Sequence, residues 1–376
     1  MSYYVGLDLH STNTYVGIMD GEDRRVLKGR FPNQLDVLLN ILRPYKEDIV
    51  GVVVESTFNW YWLVDGLMEN GYRVHLAHPP AFQQYSGLKY TDDDHDAFFL
   101  AKLLQLGILP EGYIFPREAR QLRDLMRKRM KLVRQRATHI LSFKSLVNRN
   151  LGLSTNSNEI KKLKEEDIDG MFGNEHLVLS AKANIGTMNY LKEMIVDLEK
   201  AMLRVARLDP IYEHLLTVPG IGKVLALTIA LETGDISRFD SVGHYASYCR
   251  CVGSKRLSNN KTKGQNNRKN GNKYLSWAYV EAANLSKRYC PQAQVFYLRK
   301  KFQTNNVVAI KALAHKIARA CYYIMRDQVP FDETRIFGKP SLPKKGCVRE
   351  PKRGLPSKQT APIGQTGAAA PSFHHT

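Results

Sequence analysis

No apolar run in this chain of 376 residues approaches the roughly 18 needed to cross a bilayer, which argues against a helical membrane protein. A basic leader followed by an apolar segment is also absent, so the expected location is cytoplasmic. Cysteine is scarce: Cys249, Cys251, Cys290, Cys321 and Cys347 are odd in number and lack paired C-x-x-C spacing. That argues against a disulfide framework and against a zinc ribbon. Cys249-x-Cys251 near His244 has a spacing that can hold a metal, but buried thiols are the better reading. Acids are thin in only one part of the chain. Residues 1 to 110 carry 9 Lys+Arg against 14 Asp+Glu, whereas residues 111 to 376 carry 46 against 22. The net charge of +19 therefore sits entirely in the back of the molecule. An acidic front joined to a basic back suggests a cation-binding site coupled to a polyanion-binding surface.

What is present reads first as α/β. Tyr3 to Leu9 has the pattern of a strand, Ser11-Thr12-Asn13 that of a turn, and Thr14 to Met19 that of an antiparallel partner ending at Gly21-Glu22-Asp23. A helix near Gln34 to Leu42, an apolar strand Ile49 to Val54, a helix near Trp60 to Asn70 and a strand Arg73 to Ala77 follow. From Arg117 to Arg149 the pattern becomes one basic helix with 11 Lys+Arg and two acids, Glu118 and Asp124. A second helix spans about His176 to Leu208, with Leu191, Met194, Ile195, Leu198 and Met202 on one face. The pair is expected to form an antiparallel coiled-coil arm. A compact helical region runs from Tyr212 to Asp327, and the Pro-, Gly- and Lys-rich stretch beyond Gly338 is expected to be a disordered tail.

Two carboxylates stand where a strand should be apolar. Asp8 ends the first strand, and Glu55 ends the run Gly51-Val52-Val53-Val54. A strand-end carboxylate is costly unless paired or bound to a cation. The segment Asp92-Asp93-Asp94-His95-Asp96-Ala97 leads into an apolar helix, with Asp93 and Asp96 three residues apart on one face at its positive end. Hard oxygen donors of this kind suit Mg²⁺ or Mn²⁺ better than zinc. Asp92 to Asp96 also has the composition of a solvated helix cap.

The basic half carries two further signals. Val218-Pro219-Gly220-Ile221-Gly222-Lys223 has the form of a helix-hairpin-helix turn, in which Gly220, Gly222 and Lys223 bring backbone N–H groups and charge to a phosphate. It lacks the G-x-x-x-x-G-K-[ST] spacing of a P-loop. Residues 254 to 273 contain seven Lys+Arg, many Asn and no acid, which suits a loop gripping a polyanion. Nucleic-acid contacts are expected from Arg120, Arg127, Lys131 and Arg134 on the long helix, and from Lys255, Arg256, Lys261, Lys263, Arg268 and Lys269 in the loop.

Gly6-Leu7-Asp8-Leu9-His10, Val54-Glu55-Ser56-Thr57 and the D-x-x-D-A run Asp93 to Ala97 together resemble the DEDD core of the insertion sequence 110 family of transposases. A second block, Pro219 to Gly222, Glu232 to Phe239, Ser254, Ser258, Gly271-Asn272 and Glu281 to Ala283, resembles the serine-bearing part of the same family. The resemblance covers nearly all of residues 1 to 330. It implies an RNase H-like (RuvC-like) domain at 1–112, a basic helical coiled-coil arm at 113–210, a mainly α transposase domain at 211–337 with a helix-hairpin-helix-like motif, and a tail at 338–376. It also implies metal binding by Asp8, Glu55, Asp93 and Asp96, and attack on DNA by Ser258 through a phosphoserine intermediate. Here Leu257-Ser258-Asn259 stands where Ser-Ser-Gly is usual in the family. Implied partners are donor and target double-stranded DNA, a structured bridge RNA as guide, and further copies of the chain in a tetramer. The rival readings are a RuvC-like nuclease using water, a non-catalytic nucleic-acid scaffold and a site-specific DNA invertase.

Overall fold

A computed structural model describes residues 1–82, 93–206, 209–253, 255–258, 261–265 and 270–338, with backbone only for 93–95, 206, 255–258 and 262–265. The expected tail lies outside the described residues, apart from Gly338. Strands β1 (Tyr3–Leu9), β2 (Asn13–Asp20) and β3 (Arg25–Pro32) form an antiparallel meander. Helix α1 (Leu35–Leu42) leads to β4 (Ile49–Glu55), which lies parallel to β1, and α2 (Tyr61–Glu69) leads to β5 (Val74–Ala77), parallel to β4. The sheet order is β3-β2-β1-β4-β5. The sequence reading had no counterpart to β3. With Arg25, Lys28 and Arg30 along it, that strand is a charged edge rather than a core strand, and charge on an edge resists pairing with other chains.

Strand alternation sorts the sheet into two faces. Val5, Leu7 and Leu9 on β1, Val16 and Ile18 on β2, and Val52 and Val54 on β4 pack with Leu38, Leu42, Leu63, Val64 and Leu67 of α1 and α2. The intervening residues turn to α3 (Asp93–Gln105), with Met19 against Phe98 and Val53 against Leu100. Contact with α3 is closest at Gly6, where an added Cβ would lie 1.8 Å from the carbonyl oxygen of Ala97. No other residue type lets the helix sit there.

The described remainder is helical except for one hairpin. Helix α4 (Arg117–Leu151) packs against α6 (Glu175–Ala206). Met126 and Met130 meet Met202, Leu132 meets Leu191 and Ile195, and Phe143 and Val147 share a cluster with Ile185 and Met188. The pairing numbers rise on one helix as they fall on the other, so the two are antiparallel. Between them lies the single turn α5 (Ser157–Ile160). Then follow α7 (Pro210–Leu216), α8 (Lys223–Thr233), α9 (Val242–Tyr248), α10 (Lys273–Tyr289), α11 (Pro291–Gln303), α12 (Asn306–Asp327) and α13 (Glu333–Phe337). Helix α12 is the hub, burying Leu313, Ala314, Ile317 and Ala318 against its neighbours. The segment read from sequence as a loop contains β6 (Lys255–Ser258) and β7 (Lys261–Gln265), an antiparallel pair. Its Lys, Arg and Asn content hid the strands because it offers no apolar alternation. No helix among the described residues is long and apolar enough to cross a membrane.

Candidate functional site

The sheet brings Asp8 and Glu55 together. Leu7 pairs with Val54 in the parallel register of β1 and β4, so the next residues, Asp8 and Glu55, stand side by side at the ends of neighbouring strands. Asp8 is two residues from Gly6 and Glu55 two from Val53, so both face α3. The direction of α3 follows from its far end. Lys102 Nζ meets Asp23 at 2.5 Å and Gln105 Nε2 donates to the Gly21 carbonyl at 3.0 Å, which fixes that end at the β2–β3 turn. The helix start, with Asp93 and half-buried Asp96, therefore lies at the end of the sheet where Asp8 and Glu55 stand. Asp93 is described by its backbone alone.

One neighbour of this group, His10 of the first motif, carries a role that the sequence alone did not assign. His10 Nε2 lies 3.0 Å from Asp8 Oδ2. The Asn33 and Asn59 side-chain amides each donate to the His10 carbonyl at 3.0 Å, and Thr14 and Thr57 hold those asparagines in turn through their Oγ1 atoms. The turn after β1 is thus fixed from two sides. The available signal was a histidine two residues beyond a strand-end aspartate, on the same side of the chain.

The residues present suit a hard divalent cation. Asp8 is only 6% exposed, a placement that calls for positive charge nearby, and the donors are carboxylate oxygens from two strand ends and a helix start. Among the described residues no group of three His, Cys, Asp or Glu side chains is already gathered as a cage. The cysteines do not compete for this role. Cys249 and Cys321 are fully buried, Cys321 is pushed by burial up to about 12 and so is Cys251, and the exposed His244 faces Asp240. Cys249 and Cys321 are thiols in the core, as the sequence suggested, and Cys251 is half-buried.

The basic residues divide into two sets. Arg120 is 3% exposed, ion-paired with Asp65 of α2 and stacked over Trp60 and Tyr61, so it fastens α4 to α2 rather than facing a nucleic acid. Arg127 also turns inward. Its Nε meets Glu232 Oε1 at 2.6 Å, Arg123 Nε meets Oε2 at 2.9 Å, and Asn272 Nδ2 donates to Oε2 at 2.7 Å. Burial would raise the Glu232 carboxyl, but the hydrogen bond from Arg127, the charges of Arg123 and Arg127, and Asn272 hold it below the ordinary value. Lys131, Arg134, Lys223 and Lys261 are exposed. Side chains of Lys255, Arg256 and Lys263, and all of Arg268 and Lys269, lie outside the described residues, as does Ser254.

Ser258 ends β6, where it pairs with Lys261; its side chain is outside the described residues. Downstream of that hairpin, Gly271 is firmly held. Gly271 has φ +80, a Cβ there would come within 2.5 Å of the Tyr248 carbonyl, and Arg250 Nε donates to the Gly271 carbonyl at 3.0 Å. Asn272 next to it caps α10 by accepting from Tyr274 and Leu275, so the Glu232 cluster includes the start of α10. In the Pro-Gly turn, Gly220 (φ +90) is pressed against α10, where a Cβ would lie 2.4 Å from the Ser286 amide. Its requirement for glycine is thus internal packing, whereas Gly222 faces open space at the start of α8.

Comparison with known proteins gives this arrangement its context. Residues 5–150, which include all four acids, match a family model for DEDD transposases of insertion sequence 110, described as "Transposase". Residues 212–298, which include the Pro-Gly turn and the hairpin, match the model described as "Transposase IS116/IS110/IS902 family". A protein of Pseudomonas aeruginosa named "Probable family 20 transposase" is 24% identical over 283 residues, covering 70% of this chain and 80% of its own length. The acids gathered at one end of the sheet and the hairpin-bearing helical region thus fall within two matches to one family, and the chain belongs to the insertion sequence 110 family of transposases, enzymes that cut and rejoin DNA.

Proposed function

We propose that the chain mobilises its own insertion sequence as a DNA recombinase, with Asp8, Glu55, Asp93 and Asp96 holding Mg²⁺ or Mn²⁺ and Ser258 supplying the attacking hydroxyl. The observation that carries this reading is the side-by-side position of Asp8 and Glu55 at two parallel strand ends, beneath the start of α3. Bound there, the ions would activate the attacking oxygen and stabilise the leaving oxygen of a phosphodiester. His10 restrains the Asp8 carboxylate, and the Asn33–Asn59 clamp restrains His10. Ser258 Oγ forms the new bond to phosphorus as the bridging P–O bond breaks, and the freed strand end takes up a proton as a hydroxyl. A hydroxyl of the second strand then attacks the phosphoserine, rejoins the DNA and returns the serine.

In this reading residues 1–112 are the RuvC-like catalytic domain, 113–210 the coiled-coil arm and 211–337 the transposase domain with its helix-hairpin-helix turn. The antiparallel packing of α4 on α6 supports the arm, and the exposure of Lys131, Arg134, Lys223 and Lys261 supports a grip on nucleic acid. A bridge RNA as guide and a tetramer arranged as a dimer of dimers complete the proposal. Asp8→Asn and Glu55→Gln are expected to lower strand cleavage by about a hundredfold or more while DNA binding persists. Ser258→Ala should abolish the protein–DNA adduct trapped by denaturation. Cleavage without any adduct and indifferent to Ser258→Ala would favour a hydrolytic nuclease; recombination unchanged by Asp8→Asn would favour a scaffold. Sequencing the nucleic acid that copurifies with the protein tests the guide, with one discrete structured RNA expected.

A further inference from the structure

A cleft of about 580 Å³ between α11 and α12, bounded by α13, lies apart from everything described so far. Six basic side chains line it: Arg299 and Lys300 from α11, His315, Lys316 and Arg319 from α12, and Arg335 from α13. No carboxylate among the described residues lines it. Residues 296, 299, 300 and 303 follow i, i+3, i+4, i+7 spacing on α11, so Phe296, Arg299, Lys300 and Gln303 share the one face of the helix that borders the cleft.

Their neighbours explain neither their number nor their placement. Arg335 has Asp332 at 3.4 Å, but none of Arg299, Lys300, Lys316 and Arg319 pairs with a carboxylate among the described residues. Lys316 Nζ instead lies 5.2 Å over the Phe296 ring and 5.7 Å over that of Phe337. Burial, and then the charge of Arg319, pull Lys316 below the usual lysine range. His315 is lowered by burial and by the charges of Arg319 and Lys316. Like charges have been gathered here at a mutual cost, as in a site awaiting an anion. The walls also hold Phe296 and Tyr323, the latter 37% exposed and braced by Arg326 at 4.9 Å. The volume suits a ligand of nucleotide size.

We propose that this cleft takes one unpaired nucleotide of a nucleic-acid strand, its phosphate among Arg299, Lys316 and Arg319 and its base against Phe296 and Tyr323. Cations that track the backbone and aromatic rings that stack a base are the two parts of single-strand recognition. The inference needs only that the protein binds nucleic acid, and it stands or falls separately from cleavage at Asp8.

The test uses the full-length protein and duplexes carrying a one-nucleotide bulge, compared with the same duplexes carrying an abasic bulge, made as DNA and as RNA. Fluorescence anisotropy is expected to show the base-bearing bulge bound about tenfold more tightly than the abasic one. One nucleic acid should show the larger difference, which identifies the strand the cleft serves. Tyr323→Ala and Phe296→Ala should erase that difference, and Arg319→Ala, at an exposed position, should weaken both bulges without lowering the melting temperature. Asp8→Asn protein should keep the preference. Equal affinity for base-bearing and abasic bulges in both DNA and RNA overturns the proposal, as does a preference that survives Tyr323→Ala and Phe296→Ala together.

Discussion

Glu232 shows how one buried carboxylate governs two arginines. With Arg123, Arg127 and Asn272 all directed at it, the charge is satisfied only as a group. Removing one partner of a buried charge cluster strands the rest, which costs roughly 3–5 kcal/mol. Glu232→Gln is therefore expected to lower the urea midpoint strongly at neutral pH. Its carboxyl is held below the ordinary value of 4.5, so the stabilisation it gives is complete above that pH and fades as pH falls through the lowered folded value. The gap between Glu232→Gln and the parent in urea titrations should accordingly close only on the acid side of 4.5; a gap that is constant down to pH 3 would rule out an ionised Glu232.

Among the elements, the Pro-Gly turn separates packing from binding within three residues. Gly220→Ala meets both a left-handed backbone and the α10 main chain, and should cost roughly 3 kcal/mol or more in thermal or denaturant unfolding. Gly222→Ala has open space and negative φ, and should cost under about 1 kcal/mol. If the turn contacts DNA, Gly222→Ala shifts affinity at unchanged stability. Sequence alone could not separate these two glycines, because what distinguishes them is α10, more than 50 residues downstream. The same reason limited the reading elsewhere. The strands bearing Asp8 and Glu55 were legible because each is an apolar run closed by a single acid. The long helices were legible from their 3.6-residue period. β3 and the β6–β7 hairpin were not, since their charged side chains erase alternation. The role of His10 became visible only when its ring met Asp8, and the inward turn of Arg120 and Arg127 only when Asp65 and Glu232 were in place.

At the scale of the whole molecule, the net charge of +19 is an incomplete guide to where a polyanion binds, because part of it is consumed internally. Arg120, Arg123, Arg127 and Arg129 pair with Asp65, Glu232 and Glu199, leaving Lys131, Arg134 and Lys223 among those turned outward. Replacing these three by Ala should flatten the salt dependence of DNA binding by about 0.9 in log–log slope for each one that meets a phosphate. Arg120→Ala should leave that slope alone and lower the melting temperature instead.

The two inward arginines have one more consequence. Arg120 grips the helix below the sheet and Arg127 grips the helical region, and the two stand seven residues apart on unbroken α4, about 10 Å of rod. The helix therefore acts as a splint whose phase matters as much as its length. One alanine inserted at 124 would turn the first grip about 100° away from the second, so only one of them could close. Such a protein should keep its helical circular dichroism yet melt in two separated steps, because the sheet and the helical region would no longer share a common axle.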